Sequence, residues 1–301
     1  LNPVVGDVSG NVEKLRKARA RAAETGADLV ITSELVVCGY PPEDLVFRPI
    51  VNDTVQREIE ALAAETADGG PAMLVGAPWR EDGELYNAAL LLDAGDIAAV
   101  RFKHDLPNYG VFDEKRVFNA GPLPGPMNFR GVRLGVMVCE DMWTAEVAEC
   151  LQESGAEMLV VLNGSPYQQD KWDTRLNLAV ARATECRMPL VYVNQVGGQD
   201  ELVFDGASFV LGVDASLRVQ APAWDDSLIS TQWTRDGDSW VCAEGDKNPP
   251  PDGDTAIYSA MVLGLRDYVE KSGFPGVIIG MSGGIDSALT AAVAVDALGP
   301  D

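Results

Sequence analysis

Apolar runs of strand length alternate with helical patterns along the first 220 residues of this 301-residue chain. In the first helical pattern, residues 11–24, four apolar side chains fall on one stripe: Val12, Leu15, Ala18 and Ala22. Further helices are predicted near 53–66, 144–154 and 170–187. Some strands are joined through these helices and others through tight turns, such as residues 93–96. We therefore predict an α/β fold with a mixed sheet.

Composition excludes several classes of function. The chain has 23 Lys plus Arg against 46 Asp plus Glu, a formal net charge of −23, so a nucleic-acid partner is not expected. Its five cysteines show no CxxC spacing, so neither a zinc site nor a disulfide framework is indicated, and a cytoplasmic location is predicted. Since no apolar run reaches the roughly 18 residues of a membrane span, no membrane association is expected.

The alternating pattern fails between residues 221 and 254, which end in the sequence NPPPDGD. Proline and glycine at this density cannot continue a helix or a central strand. We predict a first domain at 1–245, a linker at 246–254 and the start of a second domain at 255–301. In this last part we expect a helix, a strand at 276–280, a glycine-rich loop and a second helix.

The loop is the sequence GMSGGIDSALT, which begins at residue 280. Its glycines let the backbone approach a ligand, and the N-terminus of the following helix favours an anion. A carboxylate repels a bound anion unless a cation lies between them, so Asp286 suggests bound magnesium. Without further context the loop could be only a strand-to-helix turn, but the whole string resembles the SGGxDS pyrophosphate loop of the ATP pyrophosphatases. This resemblance implies an ATP-binding segment made of Gly280, Met281, Ser282, Gly283, Gly284, Ile285, Asp286 and Ser287.

A candidate nucleophile, Cys139, lies at the C-terminal end of the apolar strand 134–138, where an open α/β sheet exposes reactive groups. A cysteine with an ordinary pKa needs a cation or a base beside it. One candidate is the single histidine, His104, and another is Lys103 together with Glu34, which follows the apolar run at 27–31. Neighbours on a strand point to opposite faces, so a site takes only one of Lys103 and His104. The same spacing is also compatible with an ordinary ion pair between Glu34 and Lys103 and with an inert, buried Cys139.

Three stretches, at 30–45, 101–118 and 134–143, resemble the Glu, Lys and Cys blocks of the nitrilase superfamily. More narrowly, the motifs KHDLPNYGVFDE, CEDMW, NGSPY and NQVGGQDELVFDGAS, followed by the loop, are similar to the bacterial glutamine-dependent NAD⁺ synthetases. The resemblance runs along the whole chain. It implies a nitrilase-type αββα sandwich that forms a glutaminase domain. After it comes the first helix-strand-loop-helix of a Rossmann-like ATP pyrophosphatase domain.

The same resemblance implies roles for single residues. Glu34 would be the general base, Lys103 the oxyanion stabiliser and Cys139 the nucleophile. Glutamine would contact Tyr109, Ser165 and Lys171.

The implied small molecules are L-glutamine, nicotinic acid adenine dinucleotide and ATP. Mg²⁺ would be held by Asp286, and no cofactor is implied for glutamine hydrolysis alone. A homo-oligomer is also expected. The fourteen residues after Ser287 cannot supply the rest of a synthetase domain, so this chain alone is not expected to make NAD⁺.

Two other functions are compatible with the sequence. One is a stand-alone nitrilase-type amidase that acts on another amide. The other is a non-catalytic module that binds a nucleotide through the loop while Cys139 is silent.

Overall fold

Two β-sheets stacked face to face form the centre of the molecule in a computed structural model that describes residues 1–300. The helices are α1 (Val8–Glu24), α2 (Pro49–Glu65), α3 (Glu114–Val117), α4 (Glu146–Glu153), α5 (Lys171–Cys186), α6 (Gly253–Lys271) and α7 (Ile285–Leu298). The strands are β1 (Leu29–Ile31), β2 (Ala72–Glu81), β3 (Glu84–Asp93), β4 (Asp96–Phe102), β5 (Met127–Phe129), β6 (Val132–Val138), β7 (Met158–Asn163), β8 (Leu190–Asn194), β9 (Val196–Gln199), β10 (Leu202–Asp205), β11 (Phe209–Leu211), β12 (Leu217–Gln220), β13 (Trp233–Asp236) and β14 (Ser239–Cys242).

Both large sheets are mixed. The first has the order β1-β2-β3-β4, in which only β1 and β2 are parallel. The second has the order β12-β11-β8-β7-β6-β5, in which β6, β7 and β8 are parallel and the outer pairs are antiparallel. The predicted mixed sheet is therefore confirmed, and the tight turn predicted at 93–96 joins β3 to β4.

Three apolar layers hold the two sheets and their helices together. The inner faces of the sheets meet in a layer that includes Leu74 and Leu91 on one side and Val136 and Val160 on the other. On one outer face α1 and α2 cover the first sheet. On the other, α4 and α5 cover the second sheet. Burial of apolar surface on both faces of each sheet explains the four-layer αββα arrangement, which agrees with the prediction.

Helix α6 packs on the antiparallel pair β9–β10, and α7 packs on α6. The buried carboxylate of Asp267 accepts a hydrogen bond from the backbone N–H of Gly198 at 2.6 Å. Nζ of Lys271 donates to the carbonyl oxygen of Gly198 at 2.7 Å. The first helix of the predicted second domain therefore makes direct polar contacts with the first domain. No helix within residues 1–300 has both the length and the apolar character of a membrane span.

In the C-terminal third one expectation was wrong and one element was missed. Residues 276–280 form no strand, and Ile278 is fully exposed, because no other segment of residues 1–300 pairs with this stretch. An apolar run alone cannot make a strand when its backbone groups lack a neighbouring strand. Conversely, residues 221–254 contain the hairpin β13–β14, whose registered pairs include Trp233 with Cys242. The predicted linker begins with Asp246, whose carbonyl oxygen accepts from the N–H of Gln220 at 2.9 Å.

Candidate active site

Glu34 lies in a sharp turn that follows β1 and packs against β2. A Cβ atom at Gly76 of β2 would lie 2.4 Å from the backbone nitrogen of Leu35 and 2.6 Å from the carbonyl oxygen of Ser33. Only glycine allows so close an approach. Leu35 itself has a φ of 47°, a conformation that a leucine adopts only when its surroundings hold it there. The turn thereby directs Glu34 into the interior, where its side chain is fully buried.

Both carboxylate oxygens of Glu34 are hydrogen-bonded. Oε1 accepts from Nδ2 of Asn87 at 2.7 Å and from Nζ of Lys103 at 2.7 Å. Oε2 accepts from the backbone N–H of Gly164 at 2.8 Å. Because a carboxylate has about four acceptor positions, three donors leave one of them open to a further proton.

Lys103 connects two carboxylates. It follows β4, is fully buried, and donates from Nζ to Glu34 and to Oε1 of Glu114 at 2.9 Å. Glu114 is also buried and accepts from the hydroxyl of Tyr40 at 2.9 Å. Burial alone would lower the pKa of Lys103, but Glu114 and Glu34 outweigh it and raise this pKa well above its usual value. The lysine is therefore an ammonium with one N–H left over.

Cys139 follows β6 at the start of a short 3-10 helix, Cys139–Met142. Its φ of 48° is unusual for a residue with a side chain, and the residue is 4% exposed. Burial raises the pKa of the thiol well above its usual value, and the charge of Glu34 adds to this effect while Lys103 acts against it. The three residues predicted from the sequence thus lie close enough for their charges to act on one another. In this structure the sulfur is a thiol whose pKa the charges of Glu34 and Lys103 shift in opposite directions.

Glu114 gives a test of the electrostatics of this cluster. Burial raises its pKa from 4.5 to about 7, so between these values the folded protein keeps a proton that the unfolded chain has released. Its contribution to the free energy of unfolding therefore falls by about 3 kcal/mol as pH rises through this window. In Glu114→Gln we expect the free energy of unfolding to fall less with rising pH than in the wild-type protein, by about that amount. Urea unfolding between about pH 4.5 and 7 measures the difference. The exposed Glu24→Gln is the matched control. An unchanged pH slope in Glu114→Gln would contradict this description of the cluster.

His104 points away from the candidate site. Its Nδ1 lies 2.7 Å from the carbonyl oxygen of Gly121, while the neighbouring Lys103 binds the two carboxylates. The two residues thus have separate partners, as expected for neighbours at the end of a strand.

A pocket of about 350 Å³ lies beside Tyr109 and Lys171, two of the three residues expected to contact glutamine. This volume falls in the usual range of small-molecule pockets, roughly 300–1,000 Å³. Its wall consists of Tyr109, Gly110, Val111, Phe112, Trp143, Gln168, Gln169, Asp170, Lys171 and Thr174. The hydroxyl of Tyr109 donates to Glu140, next to Cys139, at 3.0 Å.

Lys171 is a cation held over aromatic rings. Its Nζ lies 5.6 Å from the ring centroid of Phe112 and 5.9 Å from that of Trp143. Burial lowers the pKa of Lys171, and the positive charge of Arg175 adds to this effect. A partly buried ammonium on the pocket wall is suited to bind the carboxylate of a ligand.

Ser165, the third expected glutamine contact, lies outside the wall of this pocket and is buried. Its hydroxyl accepts from Nε of Arg175 at 3.1 Å, and its backbone N–H donates to Asn194 at 2.9 Å. Arg175 is fully buried and makes two hydrogen bonds to Asp205, at 2.7 and 2.8 Å. Ser165 is thus part of a buried polar network behind the pocket.

The loop at 280–287 is exposed except for the half-buried Ser287, and its last three residues begin the predicted helix, α7. Its residues make local contacts: the hydroxyls of Ser282 and Ser287 lie 3.2 Å apart, and Ser287 donates to the carbonyl oxygen of Gly284 at 3.0 Å. Asp286 lies in the first turn of α7. Within residues 1–300 no group of three or more His, Cys, Asp or Glu side chains could hold a metal ion. One carboxylate is nevertheless compatible with Mg²⁺ that is held mainly by phosphate oxygens and water.

Three residues of this site were missed from the sequence: Asn87, Glu114 and Arg175. Glu114 lies in the motif KHDLPNYGVFDE, but its spacing from Lys103 does not indicate that the two side chains meet. Asn87 interrupts the apolar stretch that precedes the predicted turn at 93–96, and a polar residue in such a stretch was a usable signal for a buried hydrogen bond.

Comparison with known proteins separates the chain into two matched parts. The carbon-nitrogen hydrolase family model matches residues 1–237, and the NAD synthase model matches residues 257–301. A glutamine-dependent NAD(+) synthetase from Rhodobacter capsulatus is 45% identical over 299 residues, 99% of this chain and 54% of that protein. The chain thus spans about half the length of the curated relatives it matches.

Solved structures share the fold. A glutamine-dependent NAD⁺ synthetase from Acinetobacter baumannii, in complex with ADP, superposes with a TM-score of 0.93 at 40% identity, over 99% of this chain and 56% of that one. An amidase from Nesterenkonia sp. AN1, with acrylamide joined to its active site cysteine by Michael addition, gives a TM-score of 0.65 at 28% identity, over 73% of this chain and 86% of that one. A mutant of the same amidase is described as a member of the nitrilase superfamily, so the predicted fold class is confirmed. Since the first family model covers most of the chain, this protein belongs to the carbon-nitrogen hydrolase family.

Proposed function

We propose that the protein hydrolyses the side-chain amide of L-glutamine through a thioester on Cys139. The observation that carries the proposal is the fully buried contact between Glu34 and Lys103, whose charges act on the thiol of Cys139. Membership of the carbon-nitrogen hydrolase family supports the same chemistry. The Michael addition of acrylamide to the active site cysteine of a mutant Nesterenkonia amidase supports a nucleophilic cysteine in this fold.

The reaction begins with proton transfer, because the buried thiol of Cys139 is not ionised beforehand. As the sulfur attacks the amide carbon, Glu34 takes the thiol proton on its remaining acceptor position. Lys103 donates its third N–H to the oxygen on which negative charge develops. The hydrogen bonds from Glu34 and Glu114 hold the ammonium in place during this step.

The tetrahedral intermediate then collapses. Glu34 returns the proton to the departing nitrogen, ammonia leaves, and a thioester with Cys139 remains. Water attacks this thioester while Glu34 takes one of its protons, and glutamate is released as the thiol is restored. One glutamate side chain thus serves as base and acid in both halves of the reaction.

Recognition of glutamine rests on two opposite charges, one on the pocket wall and one bonded to a residue of that wall. We assign its α-carboxylate to Lys171 and its α-ammonium to Glu140, which Tyr109 holds by a hydrogen bond. Ser165 is the third proposed glutamine contact, and Arg175 holds its hydroxyl by a hydrogen bond at 3.1 Å.

Lys171→Met tests this recognition. We expect the KM for glutamine to rise about 10- to 100-fold with little change in kcat, because the lost contact is made in the ground state as well as in the transition state. For propionamide, which has no α-carboxylate, kcat/KM should be unchanged. Ammonia release is measured for both proteins on glutamine and on a panel of small amides. If the wild-type protein prefers small amides to glutamine, the chain is a stand-alone amidase and the assignment to glutamine is wrong.

We further propose that the ammonia serves an NAD⁺ synthetase whose first elements are α6, the loop and α7. The match of residues 257–301 to the NAD synthase family and the likeness to glutamine-dependent NAD⁺ synthetases support this. Residues 280–287 would bind ATP at the N-terminus of α7, and Asp286 would hold Mg²⁺, which neutralises phosphate charge. The predicted domain limits of 1–245, 246–254 and 255–301 are part of this proposal.

The product of the native open reading frame tests the synthetase proposal. It should form NAD⁺ from nicotinic acid adenine dinucleotide, ATP and glutamine, with AMP and pyrophosphate released. Hydrolysis of glutamine without any NAD⁺ would contradict the synthetase assignment and leave the glutaminase assignment intact.

The proposal also includes a cellular location and an oligomeric state. Five free cysteines, four of them buried, support a reducing cytoplasmic location. A homo-oligomer stays a prediction, which the molar mass in solution would test.

A further inference from the structure

The carboxylate of Asp141 receives three backbone hydrogen bonds next to the site. Oδ1 accepts from the N–H of His104 at 2.9 Å and from that of Asp105 at 2.8 Å. Oδ2 accepts from the N–H of Val138 at 2.9 Å. The residue is 1% exposed, so these amides replace all of the water that a carboxylate normally binds.

These three amides lie at the ends of strands from two different sheets. His104 and Asp105 directly follow Lys103, at the end of β4 in the four-stranded sheet. Val138 directly precedes Cys139, at the end of β6 in the six-stranded sheet. One buried carboxylate therefore joins the segment that carries the ammonium to the segment that carries the sulfur.

Local capping explains only part of this arrangement. The bond to Val138 satisfies the start of the short helix at Cys139–Met142, and any such helix could use it. The bonds to residues 104 and 105 span 37 and 36 positions of the chain and serve no local helix. Apolar packing between the sheets is non-directional, whereas hydrogen bonds fix distance and angle.

We propose that Asp141 is a positioning residue that sets the place of the Lys103 ammonium relative to the Cys139 sulfur; this rests on the proposed glutaminase reaction. The left-handed backbone of Cys139 persists only where its surroundings hold it, and Asp141 supplies one such restraint. Burial raises the pKa of Asp141 to about 6, and the amides of Asp105 and Val138 oppose that rise. The group is thus mainly a carboxylate at neutral pH, the form that accepts all three bonds.

The test is Asp141→Asn, which keeps the size but has a single acceptor oxygen, so that its NH₂ group faces a backbone N–H. With glutamine, kcat should fall about 100-fold, the cost of misplacing reacting groups by about 1 Å. KM should change by less than about threefold, because Lys171 and Tyr109 are untouched. Rates are normalised to sites titrated with 6-diazo-5-oxo-L-norleucine, so that a partly folded sample does not imitate the loss.

The matched control is Asp267→Asn on α6. Asp267 is also buried and accepts from the N–H of Gly198 at 2.6 Å and from Asn2 at 2.7 Å. The Asp267→Asn variant should keep a kcat near the wild-type value. If Asp141→Asn does not fold, Asp141→Ser, with a smaller neutral acceptor, is measured in the same way with the same expectation.

Each outcome decides the inference. A kcat for Asp141→Asn within about threefold of wild type, a change confined to KM, or an equal loss in Asp267→Asn would overturn the positioning role and leave glutaminase activity standing. Failure of the wild-type protein itself to hydrolyse glutamine would overturn the proposed function, and the positioning role with it.

Discussion

Cys139→Ala should reduce ammonia release from glutamine by about 10⁴-fold or more, to the level of a reaction without a covalent intermediate. His104→Ala should keep most of the activity, because its ring nitrogen contacts the carbonyl oxygen of Gly121 and not the site. Both variants are assayed for ammonia and glutamate at saturating glutamine, with folding checked by circular dichroism.

The pair of variants separates two mechanisms. Comparable loss in both folded proteins would support a Cys–His mechanism and would remove Glu34 from its role as base. Substantial hydrolysis by folded Cys139→Ala would exclude the covalent pathway altogether.

Lys103→Met should affect both activity and stability. Removal of the ammonium takes away an oxyanion donor, which typically costs about 10²- to 10³-fold in kcat. It also leaves Glu34 and Glu114 buried without a cation, and breaking such a buried pair typically costs about 3–5 kcal/mol of unfolding free energy. Urea unfolding at neutral pH and the rate of glutamine hydrolysis measure the two effects.

A double variant distinguishes the electrostatic explanation from simple loss of packing. Lys103→Met combined with Glu114→Gln removes one of the two buried acids left without a cation, so stability at mildly alkaline pH, where Glu114 loses its proton, should be partly restored while activity stays low. If the second substitution destabilises the protein further, the loss in Lys103→Met does not come from unpaired carboxylates.

Much of the fold could be predicted from periodicity. Val12, Leu15, Ala18 and Ala22 are all buried on α1, as the helical stripe indicates. The αββα layers follow from the same alternation of patterns. By contrast, an apolar run at 276–280 predicted a strand that is not formed, because a strand requires a partner that periodicity does not report. The hairpin β13–β14 was missed although its turn contains Gly237 with a φ of 58°, a residue type that signals such turns.

The candidate site was only partly predictable for a similar reason. Glu34, Lys103 and Cys139 each follow a strand, so their place at strand ends could be predicted, but their strands lie in two different sheets whose stacking residue spacing does not report. Asn87 and Asp141 act by hydrogen bonds between segments that are distant in sequence, and residue spacing contains no information on such contacts. Ser165 stays a predicted glutamine contact, and the hydrogen bond from Arg175 to its hydroxyl could not be read from the spacing of the two residues.

Covalent trapping tests the central claim most directly. The folded protein is incubated with 6-diazo-5-oxo-L-norleucine, an electrophilic mimic of glutamine, and the modified peptide is identified by mass spectrometry. We predict a single adduct on Cys139 that forms faster than labelling of the other four cysteines and is prevented by excess glutamine. An adduct on another cysteine, or none on a protein with its fold intact, would contradict the proposal that this buried thiol attacks glutamine.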